Sequence, residues 1–179
     1  MVLNMKHIAA LFLMLSLVSC STTYPNLDPT NQMFPTVTGT TLEKEEVIMP
    51  GHFQGKQTLL LIGYVQNSQF DIDRWLIGLD MTKTKLDVYE LPTIAGMAPR
   101  MFQTFIDDGM RSGIPKELWK GVITIYKDGE LIQQLTGNTR PLNARVMLLD
   151  ATGKIEYFYD RGFSVAALNE VRSRVILEP

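Results

Sequence analysis

Cysteine is nearly missing from this 179-residue chain: Cys20 stands alone, and His7 and His52 are its two histidines. A single thiol forms no intramolecular disulfide, and Cys/His zinc sites need more ligands than this. An excess of one charge is lacking too, with 17 basic side chains against 19 acidic ones and a net charge of −2. No basic block is present to follow a phosphate backbone, so nucleic acid is not an expected partner. A span-length hydrophobic run is also missing, because the apolar stretch from Ile8 to Val18 is too short to cross a bilayer. What is there, 45% hydrophobic and 20% charged residues, fits one globular domain.

Lys6 followed by the run Ile8 to Val18 has the length and charge of a signal-peptide core. It ends in Leu17-Val18-Ser19-Cys20, which resembles the lipobox of bacterial lipoproteins. That resemblance implies cleavage after Ser19 and a diacylglycerol thioether on Cys20, with further acylation of the new amino terminus. Several acyl chains at ~0.8 kcal/mol per buried methylene make an effectively permanent anchor. Ser21 stands where the Gram-negative sorting rule associates Asp with inner-membrane retention, so the resemblance implies the outer membrane, with the domain facing the periplasm. No cofactor is expected besides this covalent lipid. Ser21 to Pro35, with its three prolines, Thr and Asn, reads as a flexible tether with a reach of roughly 20 Å. Loss of Lys6 leaves 16 basic residues against 19 acidic ones, so the lipid rather than charge is expected to hold the membrane. The expected segments are thus 1–19 signal peptide, 20–35 lipidated tether and 36–179 domain.

Within the domain, Thr58 to Val65 is a continuous apolar run of strand length, expected to be buried on both faces. Ser68 and Asp71 form a capping-box-like start to an amphipathic helix over Gln69 to Leu79, with Ile72, Trp75, Leu76 and Leu79 on one face. Lys85 to Leu91 reads as a strand. Pro99 opens a helix carrying Met101, Phe102, Phe105 and Ile106, stopped at Gly109. A helical turn over Pro115 to Lys120 precedes a β-rich stretch: Val122 to Tyr126, a turn at Asp128-Gly129, Leu131 to Leu135, Val146 to Leu149, a turn at Thr152-Gly153, and Ile155 to Tyr159. Ser164 caps a closing helix with Val165, Leu168, Val171 and Val175 on one face.

That order, with Asp150 to Ile155 as a terminal hairpin before a helix, resembles the thioredoxin-like fold in its peroxiredoxin form. The class implied is α/β, a central mixed sheet flanked by helices. In that superfamily a nucleophilic cysteine lies where the first core strand meets the first helix, whose unpaired N–H groups and dipole stabilise a thiolate. Gln66, Asn67, Ser68 and Gln69 stand there in this chain, and Asn143-Ala144-Arg145 replaces the cis-proline segment. The resemblance therefore implies a domain without redox chemistry. The blocks Asp107 to Ile114, Val122 to Tyr126, and Val146 to Asp150 with Gly153-Lys154-Ile155 are similar to the mitochondrial ATP synthase assembly-factor family. Its members also carry a thioredoxin-like domain lacking the redox pair, which implies a chaperone-like or partner-binding role.

Two stretches stand out as candidate partner-binding surfaces: Gln66 to Gln69 at the vacant thiol position, and Asp107, Asp108 and Arg111 beside Gly109 and Gly113. Asp71 and Asp73 suit a helix dipole better than a metal or acid/base pair, and Ser68 suits a cap better than a nucleophile, since His52 is the mature chain's one histidine. Met101 and Met147 are expected in the core rather than in a thioether copper site. The leading expectation is a non-enzymatic domain that binds a protein or extended peptide. The alternative is a small-ligand binder or enzyme reusing the vacant cleft, with Arg100 or Arg111 clamping an anion.

Overall fold

The computed structural model describes residues 22–96 and 101–176. In chain order the elements are β1 (Val37–Thr41), β2 (Glu46–Met49), β3 (Thr58–Gly63), α1 (Gln69–Met81), β4 (Asp87–Pro92), α2 (Gln103–Gly113), β5 (Ile123–Thr124), α3 (Gly129–Thr136), β6 (Arg145–Leu149), β7 (Ile155–Tyr159) and α4 (Val165–Ser173). β3 runs parallel to β4 and antiparallel to β6, and β6 runs antiparallel to β7, giving the order β4-β3-β6-β7. A second sheet, β2-β1-β5, adjoins it through the bridges Glu90 to Val122 and Thr93 to Ile125.

β3 is buried at every position, as its unbroken apolar run requires. Its period-2 alternation divides the core between the two faces of the sheet. Leu60 and Ile62, with Met147 and Leu149 of β6, pack under β1 and β2, Phe53 and Ile132. Leu59 and Leu61, with Val146 and Leu148, pack under α1 and α4 through Ile72, Trp75, Leu168 and Val171. Trp75 is fully buried, with its ring edge-on to Phe163 at 5.4 Å and to Tyr159 at 5.9 Å. Ser164 caps α4 as its sequence promises, accepting from the Ala167 N–H at 3.1 Å.

Three expectations are corrected, and one unmarked segment forms a strand pair. Leu131 to Leu135 is not a strand but lies in α3, where Gly129, Ile132 and Thr136 share the buried face at helical spacing. The tether expected over residues 20–35 is docked wherever it is described. Asn138 accepts from the Tyr24 N–H at 2.8 Å and donates to the Tyr24 and Thr22 carbonyls, Leu27 N–H reaches the Thr136 carbonyl at 3.2 Å, and Phe34 is 2% exposed. Part of its backbone is hydrogen-bonded to the end of α3, to Asn138 and to the β6–β7 hairpin. α2 continues through Gly109 to Gly113, and Met101, Phe102 and Phe105 lie exposed instead of in the core. The side that α2 turns inward is mixed, with Ile106 and Met110 half-buried beside Asp107 and Arg111. The segment Val37 to Met49, without a clear sequence signal, forms the β1–β2 hairpin. Cys20, the signal segment, Pro99 and Arg100 lie outside the described residues.

Two substitutions test this core. Trp75→Ala should lower the unfolding free energy by about 3–5 kcal/mol in urea titrations, as a large-to-small truncation. Arg145 is 0% exposed and donates to the carbonyls of Gly137, Arg140 and Asn143. Arg145→Met should cost at least ~3 kcal/mol, because each carbonyl left without a donor costs ~1–3 kcal/mol. A loss below ~1 kcal/mol for either variant contradicts the packing described.

Candidate functional site

At the carboxyl end of β3 the chain leaves the sheet, makes a 3-10 turn over Gln66–Ser68 and enters α1. This turn brings Ser68 into helical geometry, φ −67° and ψ −16°, before α1 begins. Its hydroxyl therefore turns back to donate to the Val65 carbonyl at 2.6 Å, and no side chain caps α1. Ser68 is neither the expected cap nor an exposed nucleophile: it is 2% exposed, with its one proton committed. Gln66 and Asn67 face solvent. Gln69 donates to Asp73 Oδ1 and to Glu90 Oε2, both at 2.9 Å. Burial pushes the Glu90 carboxyl above its ordinary range; the Gln69 amide opposes the rise and neighbouring Asp73 adds to it.

Asp71 does more than complement the helix dipole. It is 5% exposed, and its two oxygens accept from separate loops: Oδ2 from the Ala144 N–H at 2.9 Å and Oδ1 from the Phe163 N–H at 2.8 Å. Arg74 approaches Oδ1 at 4.0 Å. One carboxylate thus ties the first turn of α1 to the segment before β6 and to the segment before α4. Carboxylate acceptors make strong bonds to backbone donors, and here each bond fixes the wall of a cavity.

Between those three segments lies a cleft of about 420 Å³, bordered by Asn67, Phe70, Arg74, Leu142, Asn143 and Arg161, with Asp71 and Phe163 at its base. Phe70 and Leu142 are largely exposed, at 68% and 58%. The Arg161 guanidinium also lies 5.1 Å from the centre of the Tyr159 ring. The cleft joins apolar surface to two guanidinium groups, a chemistry suited to an extended peptide or to an anionic group on an apolar stem. Among the described residues no group of three His, Cys, Asp or Glu side chains is placed to hold a metal ion.

Of the sequence candidates, Asn67 borders this cleft. Asp107, Asp108 and Arg111 do not; Asp107 and Arg111 fasten α2 to the rest of the fold, and exposed Asp108 pairs with Arg111 along the helix. Arg111 donates from Nε to the Leu42 carbonyl at 2.7 Å and from Nη1 to Asp108 at 2.7 Å, with Asp107 at 4.0 Å. Tyr126 donates to Asp107 at 2.8 Å. Burial raises the Asp107 carboxyl above its ordinary range, against the Tyr126 bond and the Arg111 charge. Tyr126 is raised in turn, by burial first and by Asp107 second, against the Arg111 charge. Sequence reasoning missed Phe70, Arg74, Leu142, Asn143 and Arg161. The available signal was the helical phase that puts Asp71 with Trp75 and Gly78 on the buried side of α1, an acid where only a structural partner explains it.

No protein-family model matches the chain, and no curated protein matches it either. Solved structures do. A thiol peroxidase from Chromobacterium violaceum aligns over 85% of this chain and 90% of its own at a TM-score of 0.57, with 10% identity. Arabidopsis thaliana ScoI, solved with copper bound, aligns over 79% of this chain and 96% of its own at 0.53, with 14% identity. The exposed lipoprotein thioredoxin of Streptococcus pneumoniae aligns over 79% of this chain and all of its own at 0.52, with 10% identity. These identities speak for architecture, and the architecture is a thioredoxin- and peroxiredoxin-like α/β fold, a mixed sheet flanked by helices.

Proposed function

We propose that this protein is a lipoprotein of a Gram-negative outer membrane whose thioredoxin-like domain binds a protein or extended peptide in the periplasm and carries out no thiol chemistry. The observation behind this reading is the occupant of the junction between β3 and α1. Where the superfamily resemblance puts a nucleophilic cysteine, the chain has Gln66, Asn67, buried Ser68 and Gln69. A cleft with an apolar rim remains beside it. An uncharged amide and a committed hydroxyl offer surface for recognition but no nucleophile. The pneumococcal exposed lipoprotein is a precedent for this fold in a lipoprotein. From the likeness to the mitochondrial assembly-factor family we take only the idea of partner binding by a thiol-free domain.

A second reading draws on the guanidinium groups. Arg74 and Arg161 border the cleft, whereas Arg111 is spent on Leu42 and Asp108, so a small anionic ligand would meet the former pair.

For the anchor, Cys20→Ala should abolish palmitate labelling and leave an unprocessed precursor; normal labelling of that variant would defeat the lipoprotein reading. For the cleft, the double variant Phe70→Gln with Leu142→Gln should fold with a stability change within about 0.5 kcal/mol, since both side chains are exposed. It should lose whatever protein the wild type retains after cross-linking in its native envelope. Purified protein should not reduce insulin disulfides. Retention of the same partner by the double variant, or steady insulin turnover, contradicts the reading.

A further inference from the structure

The arm from Thr22 to Leu27 is fastened to one end of the domain. Asn138 bonds to both Thr22 and Tyr24, Thr139 donates from its N–H to Asn26 Oδ1 at 3.1 Å, and Tyr24 meets Glu130 at 2.5 Å. Asn26 also donates to Asp160. Gly137, at φ +78°, leaves room for this arm: a Cβ there would collide with Asn26 and the Pro25 carbonyl. The arm meets the domain at the end that bears the cleft. Ile62 pairs with Arg145, so the exit of β3 and the entry of β6 are neighbours. The segments 64–70 and 137–143 that leave them form the cleft's rim together with the arm's dock.

We propose that this end of the domain rests on the bilayer surface that holds the Cys20 lipid, with the cleft turned toward the headgroups. The proposal rests on the reading of Cys20 as the lipidated residue. One residue, Ser21, separates Cys20 from the docked Thr22, and the two steps of chain span at most about 7 Å. The headgroup zone on each side of a bilayer is itself about 5–8 Å deep. With the arm docked, no slack remains to lift the Asn138 end clear of it. The surface chemistry agrees: exposed Phe70 and Leu142 stand beside Arg74, Arg140 and Arg161, pairing apolar side chains with guanidinium groups matched to lipid phosphate. The hairpin turn at Asp150 to Gly153 points away, a β6 length of about 16 Å from that end.

The full-length lipidated protein tests this directly, because acylation of Cys20 leaves an introduced cysteine as the sole free thiol. Leu142→Cys and Thr152→Cys variants would each carry an environment-sensitive fluorophore in phosphatidylethanolamine and phosphatidylglycerol vesicles containing headgroup spin-labelled lipid. Quenching at Leu142 should exceed that at Thr152 by about threefold or more, given the headgroup depth. Gly137→Ala, which unseats the arm and restores a long tether, should bring the two sites to similar, weak quenching while lipidation persists. Equal quenching at both sites in protein whose Cys20 lipid is verified by mass spectrometry overturns the orientation and leaves the anchor standing. Absence of that lipid, with no flotation on vesicles, overturns both. Leu142 left unquenched in these partner-free vesicles, with the Cys20 lipid in place, overturns the proposal without touching the reading of the cleft as a protein- or peptide-binding surface.

Discussion

A guanidinium buried without a carboxylate in direct contact holds the cleft-bearing end of this molecule together. Arg145 is fully shielded from solvent at the first position of β6, where a charge is costly unless its donors are matched. Its matches are three main-chain carbonyls, those of Gly137, Arg140 and Asn143, and the face of Tyr64 at 4.5 Å. Burial lowers the Arg145 pKa, and Tyr64 and Asp160 oppose that fall. Desolvation in turn pushes the Tyr64 phenol up to about 12, against its bond with Thr136 and the Arg145 charge. A planar fork satisfies several carbonyls of one curved segment at once, which an ammonium does not. The result is that residues 137–143, a stretch of loop, behave as part of the sheet.

What that stretch carries explains why its rigidity matters. Asn138 grips the incoming arm, Leu142 and Asn143 form one wall of the cleft, and Ala144 gives its N–H to Asp71. Asp71 completes the arrangement from the opposite side by taking Phe163 as well. An anion and a cation, both buried and each bonded mainly to backbone, thus brace the same cleft from two directions. A cavity whose walls are held this way is formed before any occupant arrives, which spares a ligand the entropy of ordering loops.

The sheet and its covering helices were legible because burial on both faces leaves a plain mark: Thr58 to Gly63 is apolar throughout, and Ile72, Trp75 and Leu79 recur at helical spacing. α3 was not, because Leu131 and Ile132 beside an Asp-Gly pair satisfy a hairpin pattern as well as a helical one, and a run this short is assigned by its tertiary neighbours. β1 escaped notice because Gly39 and Thr41 take inward positions where large apolar side chains would signal a strand; Gly39 lies too close to Ile123 for anything larger. The arm was misjudged for a related reason. Pro, Thr and Asn are equally at home in a solvated tether and in a segment whose backbone is bonded to a neighbouring loop, and composition does not distinguish them. The candidate site was legible only at Asn67, since the cleft depends on which segments Asp71 and Arg145 draw together, and the two partners of Asp71 lie 73 and 92 residues away along the chain, where no local pattern announces them.

The docked arm also settles what becomes of the sheet's last strand. β7 has β6 on one side only, and an open strand edge invites pairing with another chain. Gln32 accepts from the Ile155 N–H at 2.9 Å, Asn31 donates to the Ile155 carbonyl at 2.8 Å, and Asn26 closes on Asp160 just past the strand's other end. The residues between Thr22 and Phe34 therefore act as a selvedge at the two ends of that edge, at Ile155 and at Asp160, so a truncation that trims them as dispensable linker would uncover strand edge that they occupy.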